Sequence, residues 1–120
     1  MTHGVHRFTE IPVDDMLPSD FANEAAFTSA DKTERNHFFH ASDDQSVLAG
    51  IWECAPTREV IKAYPVNEMM TILSGSVTVT RSEDNTAETF TAGDTFFIAK
   101  GTACVWEITE TLRKYYFIAS

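Results

Sequence analysis

From Val47 to the end of the chain, short runs of β-branched and aromatic residues alternate with glycine, proline and polar turn residues. A break about every 8 to 12 positions is the rhythm of an all-β sandwich or barrel, in which each strand crosses a core once and then reverses. Val47–Cys54 reads as a strand closed by Ala55-Pro56, and Glu59–Tyr64 as a second closed by Pro65. Glu68–Leu73 and Ser76–Arg81 flank Ser74-Gly75, a tight-turn signal between two strands. A polar loop from Ser82 to Ala87 leads to the short strand Thr89-Phe90. Ala92-Gly93-Asp94 turns into Thr95–Ile98, Lys100-Gly101 turns into Ala103–Ile108, and Arg113–Ile118 closes the set. Such a series of strands with almost no helix predicts a jelly roll, which wraps two sheets together and leaves few exposed edges.

Residues 1–46 read differently. They are polar and acid-rich, with Pro12 and Pro18 as breakers and Ser19 placed to cap one or two helical turns over 21–27. The expectation is a mostly irregular N-terminal arm over 1–46, packed on a barrel formed by 47–120 and not an independent domain.

The chain has 120 residues, enough for one domain with a single core, and its nine Phe, three Tyr and two Trp are ample to fill it. Acidic residues outnumber basic ones 18 to 9, and the net charge of -9 repels phosphate backbones, which argues against a nucleic-acid partner. No apolar stretch approaches the roughly 20 residues that span a bilayer, so no membrane partner is expected. The first residues, Met1 to Arg7, lack the apolar run of a signal peptide. The two cysteines, Cys54 and Cys104, make no disulfide framework. They point to reduced, buried thiols and a cytoplasmic location.

A set of motifs then suggests a family. Gly50-Ile51-Trp52-Glu53-Cys54, Tyr64, Glu68, Leu73-Ser74-Gly75, Ala92-Gly93-Asp94, Ala99-Lys100-Gly101, Cys104-Val105-Trp106-Glu107 and Arg113-Lys114-Tyr115-Tyr116 follow in order. Over residues 47–118 the chain resembles the small single-domain cupins related to the cupin domain of (S)-ureidoglycine aminohydrolase. The resemblance implies an RmlC-like jelly-roll barrel, a double-stranded β-helix. Glu68 and Gly75 keep the glutamate-to-glycine spacing of the first cupin motif, and Gly93 and Gly101 fit the second. The metal-binding histidines of both motifs are missing. The upstream histidine positions fall around Ile61 to Tyr64, and the downstream one holds Cys104. Only Glu68 and Cys104 remain as candidate ligands, too few for a tightly held metal. The alternative is a divalent ion, Mn, Fe, Ni or Zn, held at those two residues. Aminohydrolase activity transfers poorly, because that chemistry uses a metal with histidine ligands.

Strand parity proposes a cavity. If Glu68 points inward, so do Met70 and Ile72; if Cys104 does, so do Trp106 and Ile108. The implied lining is Glu68, Met70, Ile72, Cys104 and Trp106, joined by Trp52 and Tyr64, an apolar and aromatic pocket with few polar groups. The alternative is a barrel simply filled by these side chains. A carboxylate in such surroundings has its charged form disfavoured, which would suit Glu68 to acid–base work. Cys104 could serve as nucleophile or soft ligand, or be a small buried hydrophobe. His37 and His40 face opposite sides of a regular strand, so a shared cavity needs a bulge; with His3 and His6 they read as surface or loop residues. Lys114 or Tyr116 could share a face with the cavity residues, but sheet packing is the safer reading. Trp52, Trp106, Phe96, Phe97 and Phe117 exceed the needs of one small barrel and suggest a homodimer.

The leading functional expectation is a small-molecule-binding cupin without the usual histidine metal site. Its rival is an enzyme acting on a small nitrogenous or carbonyl metabolite through Glu68 with Cys104. A third class is a non-catalytic dimeric partner domain, whose sign would be a filled barrel.

Overall fold

The computed structural model describes residues 4–120. Eight strands run in order among them: β1 Leu17–Pro18, β2 Glu34–Ala41, β3 Val47–Cys54, β4 Thr57–Ile61, β5 Asn67–Arg81, β6 Ala87–Thr91, β7 Thr95–Ile98 and β8 Cys104–Ala119. All pairings are antiparallel, in the order β1-β2-β3-β8-β5-β6, with β4 added to β8 and β7 to β5. The long strands β5 and β8 organise the molecule. The C-terminal half of β8 pairs with β3 and its N-terminal half with β4, while β5 takes β7 on one half and β6 on the other. One sheet is thereby folded over on itself into the two layers of the expected jelly roll.

Ser74-Gly75 is not a hairpin turn. Both halves of β5 pair with β8, from Asn67 opposite Ala119 to Arg81 opposite Cys104, so they cannot pair with each other. The register slips between Ile72 and Val77, and Gly75 has φ +82°, where a Cβ would lie 2.0 Å from the Thr111 carbonyl oxygen. Glycine here makes a bulge that bends the strand from one layer to the other. The sequence break read between Ile108 and Arg113 is likewise absent, because β8 continues through it.

The segment read as an irregular arm contributes β2, which lies along β3 from Glu34 opposite Cys54 to Ala41 opposite Leu48. Its helical expectation shrinks to one 3-10 turn, Glu24–Ala26, capped by the Asn23 side chain and not by Ser19. Alternation in β2 was obscured because its inward residues are Glu34 and Asn36, both buried and both polar. Between the layers sits a core of Cys54, Met70, Ile72, Val77, Cys104, Ile108 and Leu112, with Trp52 and Trp106. No helix among the described residues is long and apolar enough to cross a membrane.

Candidate functional site

Alternation along three strands builds the site. On β5, Glu68, Met70 and Ile72 are buried; on β8, every second residue from Cys104 to Ile108 and again from Leu112 to Tyr116 is buried. That parity brings Glu68 and Lys114 face to face. The Glu68 carboxylate accepts from Lys114 Nζ at 2.6 Å through Oε2 and from the Tyr64 hydroxyl at 2.7 Å through Oε1. Both charged side chains are only 6% exposed. Lys114 Nζ also donates to Met70 Sδ at 3.4 Å and lies 4.8 Å and 4.9 Å from the ring centroids of Trp52 and Trp106. The ammonium is held by charge on one side and by two indole faces around it.

A second polar layer supports the first. Trp52 Nε1–H donates to Glu34 Oε2 at 2.9 Å, and Glu34 also accepts from Ser19 Oγ and from the backbone N–H groups of Phe21 and Ala22. One buried carboxylate thus orients an indole and ties residues 19–22 to the barrel. Tyr116 donates to Asn36 Oδ1 at 2.6 Å. Burial pushes the Tyr116 hydroxyl well above the ordinary range, and burial followed by the neighbouring Glu68 charge does the same to Tyr64.

These groups surround a cavity of about 320 Å³ lined by Trp52, Tyr64, Trp106, Glu68, Lys114 and Tyr116, with Glu59, Ile61, Leu48, Ile118 and the arm residues Phe21 and Ala22. Four expected residues, Glu68, Trp52, Tyr64 and Trp106, converge on it. Three do not line it. Met70, Ile72 and Cys104 share the inward face but are buried in the core cluster and do not line the cavity. Burial raises the Cys104 thiol, so it is a protonated core side chain and no partner for Glu68.

Lys114 and Tyr116, read from sequence as packing, belong to the site. The signal was available, since they continue the parity of Trp106 and Ile108 along an unbroken β8. Glu34, Asn36 and Glu59 carry no signal of their own in the sequence, and the first two lie in the segment that reads as an arm.

The histidines stay outside the cavity. His6 and His40 approach each other with ring centroids 5.5 Å apart, and His37 packs edge-on against Phe39 at 5.3 Å. The register of β2 does shift between Phe38 and His40, but that bulge does not bring His37 or His40 to the cavity lining. His3 lies outside the described residues.

A catalytic metal, which the cupin fold often carries, does not fit these residues. The Lys114 ammonium occupies the approach to Glu68 that a divalent ion would need, and it would repel one. The other candidate ligand is the buried, protonated Cys104. Among the described residues no three His, Cys, Asp or Glu side chains are grouped to hold an ion.

A jelly roll with an aromatic, charged cavity between its layers defines a cupin. More narrowly, the chain belongs to the EutQ-like cupin domain family, whose model matches residues 41–116. Among solved structures it is similar to a DUF861-family protein of unknown function from Pseudomonas syringae pv. tomato, with 23% identity, a TM-score of 0.76, and 87% of this chain and 44% of that one covered. This chain therefore spans less than half the length of that protein. It is also similar to EutQ of Clostridium difficile, at 14% identity and TM-score 0.63, covering 92% of this chain and 80% of that one. A DUF861 protein from Thermotoga maritima shares 35% identity over 55% of this chain and 73% of its own, with a TM-score of 0.50. The first two likenesses show the fold alone. No curated protein is significantly similar to the chain.

Proposed function

We propose that this cupin binds a small organic molecule in the barrel cavity and does so without a tightly held metal. The observation that carries the proposal is the cavity itself. Its volume of about 320 Å³ lies at the small end of ligand pockets, which run from about 300 to 1,000 Å³. Aromatic walls supply contact area, and the Tyr64–Glu68–Lys114 cluster supplies oriented polar groups. An open cavity also speaks against the filled barrel of a purely structural partner domain.

Thermal melts against a panel of small metabolites test it. A bound ligand at about 100 times its Kd stabilises by about 2.7 kcal/mol, and that stabilisation should vanish in the cavity-filling variant Ile118→Trp. The proposal fails if no ligand stabilises the wild type, or if the filled variant responds equally. Its metal-free part fails if protein purified without chelator carries a stoichiometric ion that Glu68→Gln removes.

Catalysis is a second reading, favoured by one observation. A carboxylate flanked by a phenol and an ammonium can pass a proton between substrate and protein, as an enzyme acting on a small nitrogenous or carbonyl metabolite would need. Kinship with the ureidoglycine-aminohydrolase group is part of the same proposal and is supported by the paired motifs around Glu68, Gly75, Gly93 and Gly101. So is a cytoplasmic location, supported by two separate buried thiols.

The proposed homodimer draws on fewer aromatics than expected. Trp52 and Trp106 face inward, and Phe96 stacks on Phe90 at 3.8 Å. Phe97, Met69 and Phe117 lie opposite one another on adjacent strands and are 59%, 48% and 42% exposed, a row suited to pairing with a second copy. Light scattering that gives a monomer mass at micromolar concentration would reject the dimer.

A further inference from the structure

The cavity has a definite imbalance of charge and hydrogen-bonding capacity. It contains three ionisable side chains besides its tyrosines: Glu59, Glu68 and Lys114. Glu68 and Lys114 satisfy each other at 2.6 Å. Glu59 stands opposite Trp106 on β4, is half-buried, and has no ion-pair or hydrogen-bond partner among the described residues. The cavity therefore holds one uncompensated negative charge.

Apart from the exposed Gln45 carboxamide, its side-chain donors are almost all committed. The Tyr64 hydroxyl donates a hydrogen bond to Glu68, the Tyr116 hydroxyl to Asn36, and the Trp52 indole N–H to Glu34. Lys114 donates to Glu68 and Met70. What the two phenols still offer is oxygen lone pairs, which accept. The indole N–H of Trp106 is the one aromatic donor in the lining without a protein acceptor among the described residues.

From this we infer that the cavity takes a small organic cation, an ammonium or amidinium group on an apolar or aromatic body. The cation pairs with Glu59, its N–H groups reach the phenol oxygens, and its body packs on the indole and aliphatic walls. The overall charge of -9 favours the approach of such a ligand. A carboxylate would meet Glu59 with like charge and few free donors, and a neutral molecule would leave Glu59 unpaired. The inference rests on the reading of the cavity as a small-molecule site and adds the class of ligand.

The chain's two tryptophans both line the cavity, so their fluorescence reports on it directly. Three near-isosteres serve as probes: benzylammonium, benzyl alcohol and benzoate. Benzylammonium is expected to bind about tenfold or more tighter than the other two, and Glu59→Gln to bring it down to the level of the alcohol. Glu59 has no partner to lose, so the variant should melt with the wild type. If benzoate or benzyl alcohol binds as tightly as the cation, or Glu59→Gln leaves their order unchanged, the cation assignment falls while the cavity remains a ligand site. If none of the three perturbs the tryptophans up to millimolar concentration, the small-molecule reading falls and the assignment falls with it.

Discussion

Replacing Lys114 by methionine is the sharpest probe of the site, because it separates the cost of an unpaired charge from the loss of volume. Methionine keeps most of the lysine stem and its contacts with Trp52 and Trp106 while removing the ammonium. Glu68 would remain, 6% exposed, with the Tyr64 hydroxyl as its remaining side-chain partner. Removing one member of a buried ion pair typically costs about 3–5 kcal/mol, against a total stability of about 5–15 kcal/mol for a domain. For a chain of this size that corresponds to a fall in Tm of roughly 10–20 °C. The double variant Glu68→Gln/Lys114→Met removes both charges and leaves an amide oxygen to accept from Tyr64. It should recover more than half of the loss, since neutral replacements of a buried pair are often close to isoenergetic. The assay is guanidinium or thermal unfolding of the wild type, both single variants and the double, giving a coupling energy. A loss below about 1 kcal/mol in Lys114→Met, with coupling near zero, would mean that the two charges do not form a desolvated pair.

Glu34→Ala removes an acceptor of four hydrogen bonds and should cost about 2–4 kcal/mol. It should also release residues 19–22 from the cavity wall, seen as faster amide exchange at Phe21 and Ala22; unchanged exchange there would contradict the tethering role. Gly75→Ala should cost more than about 2 kcal/mol, because the new Cβ would collide with the Thr111 carbonyl at a positive φ. A neutral Gly75→Ala in a chemical melt would contradict the bulge. Burial, with the Glu34 charge second, pushes the Cys54 thiol up to about 12 from an ordinary 9.0. The folded state holds that proton more tightly than the unfolded one, so its contribution to stability is whole below about pH 9 and is lost as pH rises toward 12. Melts from pH 8 to 11 should show this decline, and neither thiol should react with a disulfide reagent at pH 8 unless the chain is unfolded.

Much of the architecture is legible in the sequence. Val47–Cys54 and Thr95–Ile98 are strands with the bounds their patterns suggest, because runs of apolar residues bordered by proline or glycine leave little choice of ends. The inward face of β5 and β8 followed from a period of two. The local signal misled where a bend and a turn look alike. A glycine at positive φ serves a bulge or a hairpin equally well, and at Gly75 only pairing with the distant β8 selects the bulge. It also misled at β2, whose inward positions are polar and find their partners in Trp52 and Tyr116, far along the chain.

The sequence by itself determined a cupin jelly roll and which residues share a face, Glu68 with Met70 and Ile72 and Cys104 with Trp106, since periodicity and turn residues act over a few neighbours. It also showed that the usual histidine ligands are absent. Only the tertiary structure decided that Lys114 takes the place beside Glu68, that Cys104 is buried in the core and does not line the cavity, and that Glu59 is left without a partner. Those outcomes depend on pairing and burial between residues far apart in the chain, 46 positions for Lys114 and Glu68. Whether a charge in a barrel is compensated is set by what the opposite strand presents to it, and no short stretch of sequence contains that information.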